Sequence, residues 1–264
     1  GNGQADYPND PGCDARGDAR EVAVCADDVD NDGDGVSQGT VATPVYVTRT
    51  VTAGSVAACA AAARVLHDLA TLVVPGISTA GLDSAARGLM VRHGCESACH
   101  GYVVGRLSYP GYVCVSLNDE IVHGIGAPDR IVREGDLVSL DVVVRRDGFI
   151  GDNARTVMVG AVDPRARQLC LDTEKALLAG IAAAKPGNRV GDISAAIQEA
   201  LLPGGYGVVR DFVGHGVGRK MHEEPQIPNY GKAGTGPKLL PGMALAIEPM
   251  VNLGSHKVVM AADG

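Results

Sequence analysis

The chain has 264 residues, 45% of them hydrophobic and 20% charged, with a formal net charge of −8. That size can bury a core without disulfide staples, in one large domain or two small ones. The negative balance disfavours capture by nucleic acid or an anionic membrane, and no apolar run approaches the roughly 18 residues needed to span a bilayer. Residues 1–40 are rich in Asp, Gly and Asn, and 1–45 are expected to form an acidic tail without fixed structure. Within them, Asp28-Val29-Asp30-Asn31-Asp32-Gly33-Asp34-Gly35 has the alternating oxygens of a calcium loop. The place for its closing bidentate Glu falls on Gly39 or Val41, so the run reads as a solvated acidic stretch. Residues 1–20 contain no apolar core of a signal peptide.

Residues 41–53 are Val- and Thr-rich and read as extended chain. The Ala-rich stretch 55–72 predicts a helix, stopped by Pro75-Gly76, and a second runs from about Thr79 to His93. Residues 112–160 turn β-like, with Val, Ile and Tyr runs broken by Gly, Asp and Asn. Asp163-Pro164 is an N-cap and first-turn pair that opens a helix to about Ala184. Pro186-Gly187 ends it, Asp192 is expected to cap another helix to about Leu202, and 206–264 is β-like again. This order occurs twice, with an offset of 111 residues that matches Cys59 to Cys170, Leu66 to Leu177, Pro75-Gly76 to Pro186-Gly187, and Gly94 to Gly205. The repeat predicts one α+β domain built from two similar halves with a site between them. The seven cysteines, Cys13, Cys25, Cys59, Cys95, Cys99, Cys114 and Cys170, are odd in number and irregularly spaced, as expected of reduced thiols in a cytosolic protein. Cys95, Cys99 and His100 lack a second ligand pair at the spacing of a zinc clip.

Three segments place reactive groups at the ends or faces of predicted strands. Asp147-Gly148, between the runs 137–144 and 149–153, signals a tight hairpin in which residue 143 opposes 152 and 141 opposes 154. Asp141 and Asp152 then share one face as a diagonal pair, and a carboxylate inside so apolar a strand needs a cation or a donor network. In Phe212-Val213-Gly214-His215-Gly216-Val217-Gly218, the glycines let the backbone pass close to a ligand, and His215 offers a neutral nitrogen. His222 lies too far on for a helical zinc pair and suits a hydrogen-bond donor. Glu248 ends an apolar strand at Pro249, a place for a metal ligand or general base. Carboxylates with imidazole suit Mn, Fe, Co or Zn, and a bridging carboxylate permits two ions about 3.5–4 Å apart.

Together with Val122-His123-Gly124-Ile125, Leu140-Asp141-Val142, Gly151-Asp152, His222-Glu223-Glu224-Pro225, Asn229-Tyr230 and Ile247-Glu248-Pro249-Met250, these segments resemble the type I methionine aminopeptidases in order and spacing. The resemblance covers about 46–264 and implies the pita-bread α+β fold of two pseudo-symmetric halves. It implies Asp141, Asp152, His215 and Glu248 as ligands of two divalent ions (Co, Mn, Fe or Zn), with Asp152 bridging. His123 would contact the substrate near its amino end, His222 would polarise the scissile carbonyl, and Glu248 would also shuttle a proton. Cys99, Tyr102, Tyr109, Cys114 and Met221 would line the pocket for a methionine side chain. The implied reaction is removal of the N-terminal methionine from nascent polypeptides, in part at the ribosome, by a cytoplasmic monomer using a metal-activated water. Two other readings use the same fold: a non-catalytic binding relative, and a proline-directed peptidase.

The sequence departs from that family in two places. The family's fifth ligand, a bridging Glu on a late strand, and a Trp of the pocket wall have no counterpart before Asp263-Gly264. The expectation is therefore of a C-terminally shortened member that lacks its last strand, with a core strand left unpaired and weak or no activity. Between Tyr102 and Tyr109 the chain carries extra residues, Val103 to Ser108, expected to reshape the pocket rim.

Overall fold

The computed structural model describes residues 53–261 and, ahead of them, the backbone of two strands, Ala23–Val24 and Thr40–Tyr46. Helix α1 (Ala53–Ala70) buries Ala58, Ala61, Ala62, Val65 and Leu69, spaced as one helical face. It lies on the hairpin of β7 (Leu137–Arg146) and β8 (Phe149–Met158). The approach is close because Gly151 has no side chain: a Cβ there would collide with the Ala58 carbonyl. Helix α2 (Thr79–Arg92) starts at Ser78, whose hydroxyl accepts from the Gly81 N–H at 3.0 Å. Leu66, Leu69, Leu82, Met90, Val138 and Leu140 form the first core.

The second half repeats this plan. Helix α3 (Pro164–Ala183) is capped by Asp163, which accepts from the Arg165 N–H at 2.8 Å, and is followed by α4 (Val190–Leu201). Both helix starts fall at the offset of 111 expected from the sequence. The left-handed glycines repeat as well: φ is +96° at Gly76 and +92° at Gly187, +66° at Gly94 and +64° at Gly205. Asp192 is not the N-cap of α4 but its third residue. Its carboxylate reaches back to the Arg189 N–H and across to the Gly234 N–H, both at 2.7 Å, so it ties a distant loop to the helix start. Leu177, Ile181, Ile193, Ile197, Leu245 and Ile247 form a separate second core.

Short strands complete the sheet: β3 (Glu96–Ser97), β6 (Cys114–Leu117), β10 (Gly214–Gly216), β11 (Glu223–Ile227) and β12 (Ala244–Ile247), with β4 (Val103–Val104), β5 (Leu107–Ser108), β9 (Gly207–Val208) and β13 (Val251–Asn252) pairing apart from it. Calling Ala23–Val24 β1 and Thr40–Tyr46 β2, the main sheet runs β11-β10-β12-β2-β8-β7-β3, with β1 on β2 and β6 on β7. Strand β2 therefore joins the halves: Thr43 to Tyr46 pair with β12, while Thr40 and Ala42 pair with β8. The sheet begins ahead of residue 46, where the family resemblance starts: Thr40–Tyr46, largely within the stretch read as extended, is rich enough in β-branched residues to add as a strand. It also supplies the pairing that the sequence left open between the two halves. The acidic run 28–35 and Cys13 and Cys25 lie outside the described residues. Cys95, Cys99, Cys114 and Cys170 are thiols, and among the described residues no helix is long and apolar enough to cross a membrane.

Two predictions follow from this division. Leu66→Ala and Leu177→Ala should each cost about 2–5 kcal/mol in chemical denaturation, and the double variant should lose the sum, since the two side chains sit in different cores. A strongly non-additive double variant would mean one fused core. Removing residues 1–46 leaves β8 and β12 with open edges, so the shortened protein should melt at a lower temperature and aggregate; unchanged melting would remove β2 from the sheet.

A candidate metal centre between the halves

The hairpin β7–β8 has the register read from its turn: Val143 faces Asp152 and Asp141 faces Ala154, with Asp147 and Gly148 both at positive φ. Asp141 and Asp152 consequently project from one face toward the junction with β12. Asp152 is 6% exposed, and the Asp141 Oδ1 atom is buried without a hydrogen-bond partner.

The other half brings two more groups. Strand β10 is squeezed between β11 and β12, with His215 opposite Gln226 on one side and Ala246 on the other. A Cβ at Gly214 would meet the Ala246 carbonyl, and one at Gly216 the Glu224 carbonyl, so this backbone packing requires the flanking glycines. His215 Nδ1 bonds the Gly216 carbonyl at 2.9 Å, which turns Nε2 into the cleft. Nε2 lies 3.2 Å from Glu248 Oε1 and 3.7 Å from Asp152 Oδ2. Glu248 follows the last residue of β12, and its Oε1 forms no aligned hydrogen bond despite the nearby imidazole.

These charges strain one another. Burial, then the Glu248 charge, push Asp152 up to about 7, and burial with Asp152 and Glu248 holds Asp141 well above the carboxylate range. Although burial opposes it, the Glu248 and Asp152 carboxylates raise His215 to about 9. Among the described residues no three His, Cys, Asp or Glu side chains stand as a ready-made cage for an ion. The donor set nevertheless suits a divalent cation: crowded carboxylates, an oriented imidazole nitrogen, and two buried carboxylate oxygens left without donors.

Around this cluster stand the other predicted residues. His123 adopts φ +61° and packs edge-on against Phe212, ring centroids 5.6 Å apart. Burial keeps it below the ordinary imidazole range. His222 stands at the cleft mouth, its ring 4.4 Å from that of His215; burial, then the charges of His215 and His123, lower its basicity. Cys99 and Val143 share a small apolar cluster against which Tyr109 and Met221 pack. Cys114 lies opposite Asp141, and hydrogen bonding to Cys114 together with burial pushes the Cys99 thiol well above its usual range. The Tyr109 hydroxyl donates to the Gly124 carbonyl at 2.9 Å, next to His123. Tyr102 reaches the mouth, where its hydroxyl lies 3.0 Å from His222 Nδ1.

Three supporting residues had no assigned role in the sequence reading. Asn229 is fully buried and its amide donates to the Glu248 carbonyl at 2.7 Å, fixing the backbone of that ligand candidate. The Ser97 hydroxyl accepts from the amides of Cys99 and His100 and donates to the Tyr112 carbonyl at 2.6 Å. Asp83 accepts from the amides of Tyr112 and Val113. Asn229 and Ser97 left a trace in the sequence, as polar residues beside Tyr230 and Cys99 in segments that resemble the family; Asp83 left none.

Comparison with known proteins shows the family. The model of metallopeptidase family M24 matches residues 54–262. Methionine aminopeptidase B of Synechocystis is 46% identical over 204 residues, covering 77% of this chain and 74% of that protein. Methionine aminopeptidase 1 of Bacillus subtilis is 43% identical over 197 residues, covering 75% and 77%. Among solved structures, a methionine aminopeptidase of Thermotoga maritima matches with TM-score 0.76 and 42% identity over 80% of this chain and 83% of that one. A Xaa-Pro dipeptidase of Bacillus anthracis shares the fold alone, at 21% identity and TM-score 0.61 over 75% of this chain and 54% of that one. The chain belongs to metallopeptidase family M24 and has its pita-bread fold.

Proposed function

We propose that this protein is a metal-dependent aminopeptidase that removes the N-terminal methionine from nascent polypeptides. The observation that carries it is the meeting of Asp141, Asp152, His215 and Glu248, drawn from both halves, in one buried cleft with unpartnered carboxylate oxygens. The names of the relatives at 39–46% identity support the same substrate. A proline-directed peptidase is less favoured, since such structures match at 16–21% identity with TM-scores of 0.57–0.61. A purely binding relative does not explain why four ligand-type groups are buried together.

Asp141, Asp152, His215 and Glu248 would hold two divalent ions. When bound, such ions lower the pKa of water and polarise a carbonyl. The protein's own groups supply the rest. The pocket of Cys99, Tyr109, Cys114 and Met221 receives an unbranched thioether, whose polarizable sulfur suits thiol and aromatic walls. His123 faces the substrate's amino end and the scissile amide. His222 donates a hydrogen bond to the carbonyl oxygen as negative charge develops there. Glu248 takes a proton from the attacking water and returns it to the departing amine. We place this activity in the cytoplasm, in a monomer, on chains leaving the ribosome.

Two measurements test this reading. Asp141→Asn should abolish tight binding of Mn²⁺ or Co²⁺ and, in a chain extended to include the family's bridging Glu, lower hydrolysis of Met-Ala-Ser by at least about a hundredfold, with the fold intact by circular dichroism. Unchanged activity would exclude Asp141 from the centre. Metal affinity should also fall with pH. Asp152, raised to about 7, and His215, raised to about 9, must both release protons to bind an ion, so protons compete more strongly at pH 6 than at pH 8. Titration calorimetry should therefore show weaker binding at pH 6, by roughly tenfold or more. Equal affinity at both pH values would sink the ligand assignment.

A further inference from the structure

The extra residues between Tyr102 and Tyr109 fold into a small hairpin of their own. Val103 pairs with Ser108 and Val104 with Leu107, and Gly105 at φ +61° makes the turn. Its base is locked by three main-chain bonds: Tyr102 N–H to the Cys99 carbonyl at 2.8 Å, Tyr109 N–H to the Tyr102 carbonyl at 2.8 Å, and Gly101 N–H to the Tyr109 carbonyl at 2.9 Å. The hairpin itself reaches into solvent, with Val103 and Leu107 exposed. Its fixed element is therefore Tyr102, whose ring meets His222 edge-on, centroids 5.7 Å apart, with the hydroxyl 3.0 Å from Nδ1.

We propose that Tyr102 is a positioning residue: its hydroxyl donates to His222 Nδ1 and so holds that imidazole in the tautomer whose Nε2 carries the hydrogen. This rests on the aminopeptidase reading and deepens it. A neutral imidazole has one N–H, and which nitrogen carries it is set by the partner of the other. A phenol hydroxyl has one hydrogen to give, and with Nδ1 as its acceptor, Nε2 is left as the donor. The His222 ring packs against His215 on one side and is pinned by Tyr102 on the other, so the same contact fixes its plane. A donor aimed before charge develops is worth more than one that must first turn or exchange its proton. The extra hairpin thus acts as a brace that holds Tyr102 at the cleft mouth. Pocket lining explains the Tyr102 ring but leaves its hydroxyl without a purpose.

Tyr102→Phe keeps the ring and removes only the hydroxyl. In the Mn²⁺-loaded protein extended to include the family's bridging Glu, kcat for Met-Ala-Ser should fall about tenfold while KM stays within about twofold. In His222→Ala, adding Tyr102→Phe should change the residual rate by less than about twofold, because Tyr102 acts through that ring. In the metal-free protein, ¹⁵N spectra of His222 should show one tautomer, protonated on Nε2, and a mixture in Tyr102→Phe. A raised KM with unchanged kcat would make Tyr102 a wall of the pocket only, and an unaltered His222 spectrum would overturn the proposal outright. A further tenfold loss on top of His222→Ala would show that Tyr102 works independently. Should the chain extended to include the family's bridging Glu hydrolyse no methionyl peptide, the aminopeptidase reading fails, while the ¹⁵N spectra still decide whether Tyr102 sets the tautomer.

Discussion

The arrangement of this protein follows from one constraint: three carboxylates and an imidazole crowd the same largely buried junction. Asp141 and Asp152 would repel Glu248 and each other at neutral pH, and without a cation the cluster retains protons instead, as the raised values of Asp152 and His215 show. Removing partners from buried charge is far more costly than leaving the site apolar, so a fold that keeps this cluster has a use for it. The unpartnered oxygens of Asp141 and Glu248 are the specific trace of that use.

Bringing the groups together depends on two unlike devices. In the first half, a ten-residue strand pair closed by Asp147-Gly148 sets two aspartates on one face by register alone. In the second half, glycines on either side of His215 let a three-residue strand slip between its neighbours, and the imidazole is aimed by the Gly216 carbonyl. Repeated helices give each half a core of its own, so the ligand candidates stand on packed frames.

Local and periodic features were legible in the sequence. The hairpin register, the Asp163 cap, and the helix starts separated by 111 residues each follow from turn chemistry or repetition within a short window. Contacts between distant segments were not. Asp192 looked like a cap because it precedes an apolar helical face, yet it sits one turn inside and binds Gly234. Thr40–Tyr46 carries β-branched residues beside an acidic stretch, and nothing local says that it enters the middle of the sheet. The glycines around His215 signalled close approach correctly but not to what. The bond between Tyr102 and His222 joins positions 120 residues apart, and no spacing rule reaches that far.

The halves contribute different chemistry although their frames are alike. The two aspartates come from β8 and its partner β7, while the imidazole and Glu248 come from β10 and the end of β12. The centre therefore exists only while β8 and β12 keep their separation, and β2 is the strand that pairs with both. An ion held by these candidate ligands from both sides would resist any slippage along β2, and a well-seated β2 would in turn hold them ready for the ion. Binding and the joining of the halves are then two sides of one equilibrium: whatever strengthens either must strengthen the other by the same free energy.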